Sequence, residues 1–232
     1  MSTHERCTGM GGTDVAAALG VNPYRDPTTC AAIKRRLIPD HVEESDAMAA
    51  GKYMEQWVFH RWLDRSPLAG SDYRKPDVMV SEREPWAFGS PDFIVMPGEG
   101  KAAIGVEVKC AFSIRAQMRW NEVGTDSLPK EYLVQVAWYA WLTQIDEWVI
   151  LLFDGEVKEY RYTRDPELET EIVAQARAFW TRYVLGDETP PKTGMASELA
   201  TLTKLYPVVT QNVRTPDADE EMLMIEGRKI QA

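Results

Sequence analysis

Ser90-Pro91-Asp92-Phe93-Ile94-Val95-Met96, then Pro97-Gly98-Glu99-Gly100, then Ile104-Gly105-Val106-Glu107-Val108-Lys109, is the stretch on which the fold turns. Two apolar runs flank a Pro-Gly turn, so they are expected to pair as a hairpin. Side chains alternate faces along a strand. Val106 and Val108 are therefore expected in a core, with Glu107 and Lys109 on the opposite face. Pairing brings Asp92 beside Glu107, and two carboxylates and an ammonium converge. Neighbouring carboxylates repel, and one takes up a proton unless a cation stands between them. Hard oxygen ligands with open water positions suit Mg²⁺ or Mn²⁺. A metal there, with a lysine beside it, is equipment for hydrolysing a phosphodiester. The plainer alternative is a solvated sheet face carrying a cross-strand ion pair.

Composition narrows the class. The 232 residues suit one domain with a full core, and 44% hydrophobic content with eight Trp describes a folded chain. No run approaches the ~18 apolar residues of a membrane span, and Met1-Ser2-Thr3-His4-Glu5-Arg6 has no apolar signal region. Cys7, Cys30 and Cys110 are scattered and odd in number, which points to a reducing cytoplasm. The net charge of −10, from 26 Lys+Arg against 36 Asp+Glu, argues against coating nucleic acid through bulk charge. Local grip remains open through Lys34-Arg35-Arg36, Arg115 with Arg119, and Lys130.

Outward from the hairpin, Thr13 to Gly20 reads as a short helix with Thr13 as N-cap and Gly20 as its stop. A second helix is expected from about Thr28 to Leu37, and a long one from 45 to 64 with Ser45 as cap. On the long helix Gly51, Glu55, Val58 and Trp62 share a face. Glu55 thus borders the apolar side, either as an edge glutamate or as a carboxylate satisfied by something bound. Residues 77–81 and 86–88 read as short strands. Pro129 opens a helix to about Gln144, with Gln135 and Tyr139 on one face. Residues 147–153 and 156–163 form a hairpin closed by Asp154-Gly155. Asp165-Pro166 caps a last long helix to about Leu185. The order predicts an α/β fold with a central mixed sheet flanked by helices. Residues 1–188 form one domain in this reading. Residues 189–232 form a tail that includes the acidic stretch Asp217 to Glu221 and packs partly on the domain, or on a neighbouring subunit, through Leu202, Leu205 and Tyr206.

Pro91-Asp92 with Glu107-Val108-Lys109 resembles the core of the PD-(D/E)xK nucleases. Glu55 upstream, and Gln135 with Tyr139 downstream, resemble the RecB-like branch. Gly11-Gly12-Thr13-Asp14-Val15 and Leu19-Gly20-Val21-Asn22-Pro23-Tyr24 resemble the opening of the YqaJ-like viral recombinases, the family of phage lambda exonuclease. Five motifs stand in order across roughly residues 6–160.

The resemblance implies a restriction-endonuclease-like core and a Mg²⁺ site that also accepts Mn²⁺, with two ions per site. The metal ligands would be Asp92, Glu107, the Val108 carbonyl and Glu55. Lys109 would orient or deprotonate the attacking water, and Gln135 would position Lys109 or the scissile phosphate. Arg6 and Thr13 match the positions that hold a 5′-phosphate. Tyr139 either contributes to the site or simply packs. The activity implied is a 5′→3′ exonuclease on double-stranded DNA ends, leaving 3′ overhangs for phage-type recombination. A single-strand annealing protein would be its partner, a ring-shaped homotrimer its assembly, and a phage-infected or prophage-bearing bacterial cytoplasm its location. Two other readings share the fold: a RecB-like repair nuclease or endonuclease, and a non-catalytic module that binds DNA ends.

Overall fold

The computed structural model describes residues 7–40, 43–120, 123–125 and 127–207. Arg6 and the acidic stretch Asp217 to Glu221 lie outside the described residues. Three helices come first: α1 (Gly12–Ala18), α2 (Pro27–Lys34) and α3 (Asp46–Leu63). Five strands follow: β1 (Asp72–Arg74), β2 (Met79–Val80), β3 (Phe88–Gly89), β4 (Phe93–Met96) and β5 (Ile104–Cys110). Then come α4 (Ile114–Gln117), α5 (Lys130–Thr143), β6 (Glu147–Phe153), β7 (Val157–Thr163), α6 (Pro166–Phe179) and α7 (Ala196–Leu205).

Local chemistry sets most boundaries. The Ser45 hydroxyl accepts the Met48 N–H and starts α3. The Asp26 and Asp165 carboxylates cap α2 and α6, each followed by a proline whose missing N–H costs nothing in the first turn. Gly20 (φ 71°) and Gly155 (φ 112°) take the left-handed conformations that end α1 and close the β6–β7 turn. Thr13 is not the cap of α1. Gly11 is, and Asp14 reaches back to accept its N–H at 3.0 Å, leaving Thr13 exposed one residue inside the helix. Helix α2 ends at Lys34, short of Leu37, because Arg36 turns left-handed (φ 60°). Past Phe179 the chain continues as a π-helical turn to Leu185, where Gly186 N–H bonds Thr181 O.

The main sheet runs β1-β4-β5-β6-β7. Strands β4 and β5 are antiparallel with Phe93 opposite Val106, β5 and β6 are parallel with Glu107 opposite Ile150, and β6 and β7 are antiparallel. The parallel step needs a crossover, which α4 and α5 supply. Strand β1 escaped the sequence reading because all three of its residues, Asp72, Tyr73 and Arg74, are exposed at the sheet edge. Strands β2 and β3 form a separate small ribbon.

Both faces of β5 are covered. On one, Val58, Phe59, Trp62 and Leu63 of α3 pack on Phe93, Val95, Val106 and Val108. On the other, α1, α5 and α6 pack over Trp148, Ile150 and Leu152. Helix α5 is apolar nearly all round, as a helix enclosed by others must be. The tryptophans go chiefly into this interior, Trp138 and Trp148 completely, while Trp57 is half exposed. Helix α7 docks on α2, with Glu198 accepting from Thr28 and Thr201 meeting Thr29. Leu205 packs near Ala32, Ile33 and Ile38, but Tyr206 faces solvent, against expectation. Among the described residues no helix is long and apolar enough to cross a membrane.

Gly105 fixes how closely β6 lies against β5. A Cβ there would stand 2.5 Å from the Trp148 ring. Gly105→Ala is expected to lose about 1–3 kcal/mol of stability through overpacking, measured by urea unfolding. An unchanged midpoint would mean that the strand pair is free to shift.

Candidate active site

Asp92 immediately precedes β4, and the pairing of Phe93 with Val106 sets it beside Glu107. Its Oδ2 accepts the Val108 N–H at 2.7 Å, which ties the first carboxylate to the second strand. Glu107 is not on a solvated surface. It is 3% exposed, because α5 closes the face that the alternation pattern left open. Its Oε1 accepts from Lys109 Nζ at 2.6 Å and from Gln135 Nε2 at 3.0 Å. The Gln135 amide also lies 2.9 Å from the Tyr139 hydroxyl, one turn further along α5. Tyr139 is thus both core and part of the network. Glu107 Oε2 is buried with no hydrogen-bond partner. An unpaired oxygen of a buried carboxylate costs at least about 1–3 kcal/mol, so this orphan marks a position for a positively charged ligand.

The electrostatics agree. Burial raises the pKa of Asp92, the Glu107 charge raises it further, and Lys109 and the Val108 N–H offset only part of this. Burial also raises Glu107, against the opposing pull of Lys109. Lys109 resists its own burial. The charges of Glu107 and Asp92 hold its pKa above the ordinary lysine value, so it remains an ammonium. Its Nζ also lies 5.1 Å from the Tyr132 ring centroid, within cation–π range.

Glu55 stands on α3, near enough for its charge to raise both Asp92 and Glu107. Its Oε1, however, is 2.6 Å from Lys75 Nζ, a partner absent from the sequence reading. Among the described residues no three His, Cys, Asp or Glu side chains close on one metal-sized point. The structure therefore assembles Asp92, Glu107, Lys109 and Gln135 and leaves Glu55 at the margin.

Thr13 is brought close by a glycine. A Cβ at Gly12 would stand 2.8 Å from Gln135 Cγ, so α1 touches α5 at the site residue itself, with Thr13 next to the contact. Of the basic spots, Lys34 is spent internally, buried 2.7 Å from Asp14 Oδ2. Arg119 pairs with buried Glu131 one turn before Gln135 on α5.

Asp92 generates a pH prediction. Its folded pKa is raised, so the folded chain binds the extra proton. Stability falls as pH rises from the ordinary carboxylate range through the raised value. In chelator, Asp92→Asn is expected to stabilise the protein at pH 7 by about 0.5–2 kcal/mol, typical of relieving a strained site. The gain should vanish below about pH 4, where aspartate is protonated in both states. Thermal unfolding across pH checks this; a destabilised D92N at pH 7 contradicts it.

The comparisons with known proteins point the same way. The YqaJ-like viral recombinase domain matches residues 3–146. The uncharacterized protein YqaJ of Bacillus subtilis (strain 168) is 24% identical in an alignment of 213 residues that covers 90% of this chain. The chain spans 63% of that relative's length. The alkaline exonuclease LHK-Exo from Laribacter hongkongensis superposes with a TM-score of 0.57 at 16% identity, covering 98% of this chain and 97% of its own. The same exonuclease solved with dAMP gives 0.58, again at 16% identity, over 97% and 96% of the two chains. A phage related exonuclease from Haemophilus somnus 129PT gives 0.51 at 14% identity, over 76% of this chain and 94% of its own. These likenesses show that the chain shares its fold with these structures, and the match across residues 3–146 makes this chain a member of the YqaJ-like viral recombinase family.

Proposed function

We propose that this chain is a metal-dependent 5′→3′ exonuclease that degrades linear duplex DNA from its ends and leaves 3′ overhangs for recombination by strand annealing. The observation that carries the reading is Glu107: buried on a central strand, beside Asp92, bonded through one oxygen to Lys109 and Gln135, with the other oxygen orphaned. Family membership and the exonuclease fold support it.

Asp92, Glu107 and the Val108 carbonyl would hold Mg²⁺ or Mn²⁺, with Glu55 joining from α3. When bound, the ion would supply Lewis-acid charge at the scissile phosphate. The chain's own residues do the rest. Lys109, hydrogen-bonded to the Glu107 carboxylate, orients or deprotonates the attacking water and offsets negative charge developing on the phosphate. Gln135 fixes Glu107 and spans the gap to Tyr139. Thr13, exposed beside the contact between α1 and α5, offers a hydroxyl to a 5′-phosphate, a charge-assisted contact. Arg6 would join it. An acidic chain holds a polyanion poorly, so a closed homotrimer around the duplex would retain DNA by topology, and an annealing protein would take the exposed strand.

One assay tests this. Linear duplex with 5′-phosphate ends is expected to be digested in Mg²⁺ or Mn²⁺, faster than duplex with 5′-hydroxyl ends, while closed circles survive. Lys109→Ala should lose about 10²–10⁴ in rate, and Thr13→Ala should shrink the preference for 5′-phosphate. Undiminished digestion in excess chelator, or equal attack on closed circles, contradicts the proposal.

A further inference from the structure

We infer that Lys75 is a built-in counter-cation that holds Glu55 in a resting position and has to be displaced before Glu55 can join Asp92 and Glu107 around a divalent ion. The inference rests on the metal reading above and deepens it: it makes Lys75 a positioning residue that sets the affinity of the site for its metal.

Three observations place Lys75 there. It directly follows edge strand β1, and its Nζ lies 2.6 Å from Glu55 Oε1. The same ammonium lies 5.7 Å from the ring centroid of Phe93, the residue after Asp92. It is near enough to both Glu55 and Asp92 for their charges to act on it. Lys109 is committed elsewhere, bonded to Glu107 Oε1, which Gln135 also reaches.

The balance of charges explains why such a latch can open. Fully ionised, Asp92, Glu107 and Glu55 carry three negative charges, against the two positive charges of Lys109 and Lys75. A divalent ion exchanges one positive charge at the margin for two at the centre, and it answers the orphaned Glu107 Oε2, which Lys75 does not. Lys75 is 65% exposed and Glu55 23%, so their attraction is screened by water and weak enough to lose that exchange. It is still strong enough to keep the third carboxylate turned away while no ion is bound.

The test is Mn²⁺ binding to the full chain without DNA, followed by calorimetry. Wild type should bind, and Asp92→Asn should lose the binding. Lys75→Met, which keeps the aliphatic stem against Phe93, should bind roughly two- to fivefold tighter, the range of an exposed ion pair released. Lys75→Arg, which keeps the pair, should stay near wild type. Glu55→Gln should bind more weakly, and adding Lys75→Met to it should give no gain. A Lys75→Met affinity equal to or weaker than wild type overturns the inference. So does a gain that persists in full on the Glu55→Gln background, since Lys75 would then act only as a distant repulsive charge. If wild type binds no Mn²⁺ that Asp92→Asn removes, the metal reading itself fails and the inference falls with it.

Discussion

Everything at this site follows from burying one carboxylate. Glu107 sits in the middle of the sheet, covered on one side by α3 and on the other by α5. A charged group there is tolerable only if it is paired and hydrogen-bonded. Lys109 and Gln135 satisfy one oxygen and nothing satisfies the other. Gly12 lets α1 close on Gln135, Gly105 lets β6 close on β5, and Asp92 locks the strand register by accepting the Val108 N–H. The fold brings these groups together at a cost in stability, as sites built for function commonly do.

That cost separates the carboxylates by role. Burial pushes both Asp92 and Glu107 toward protonation, with the Glu107 charge adding to it at Asp92 and the Glu55 charge at both, while Lys109 is pushed toward charge. Such a site gains from any cation able to enter between the two acids. An acidic chain with a locally cation-hungry centre is also suited to a polyanionic substrate that arrives with its metal.

Much of this was legible in the sequence because it rests on short-range rules. The Pro-Gly turn and two β-branched runs gave the β4–β5 hairpin, and Asp92 beside Glu107 follows from its register. Caps at Ser45 and Asp165 and the turn at Gly155 were read correctly. What failed depends on tertiary packing. Alternation placed Glu107 on an open face, since nothing local says that α5 crosses above it. Thr13 looked like a cap, but Gly11 with Asp14 serves instead. Strand β1 was invisible because its residues are polar and its pairing partner lies some twenty residues on. Lys75 could not be found for the same reason, as its meeting with Glu55 is a product of that edge strand.

The central claim is that Asp92 and the orphaned oxygen of Glu107 together hold a divalent ion. Crystals grown in Mn²⁺ and measured at the manganese absorption edge test it most directly. The account predicts an anomalous peak about 2.0–2.3 Å from both carboxylates, the distance of a hard cation from oxygen. A peak elsewhere, or a site filled only by the Lys109 ammonium at saturating Mn²⁺, would contradict it.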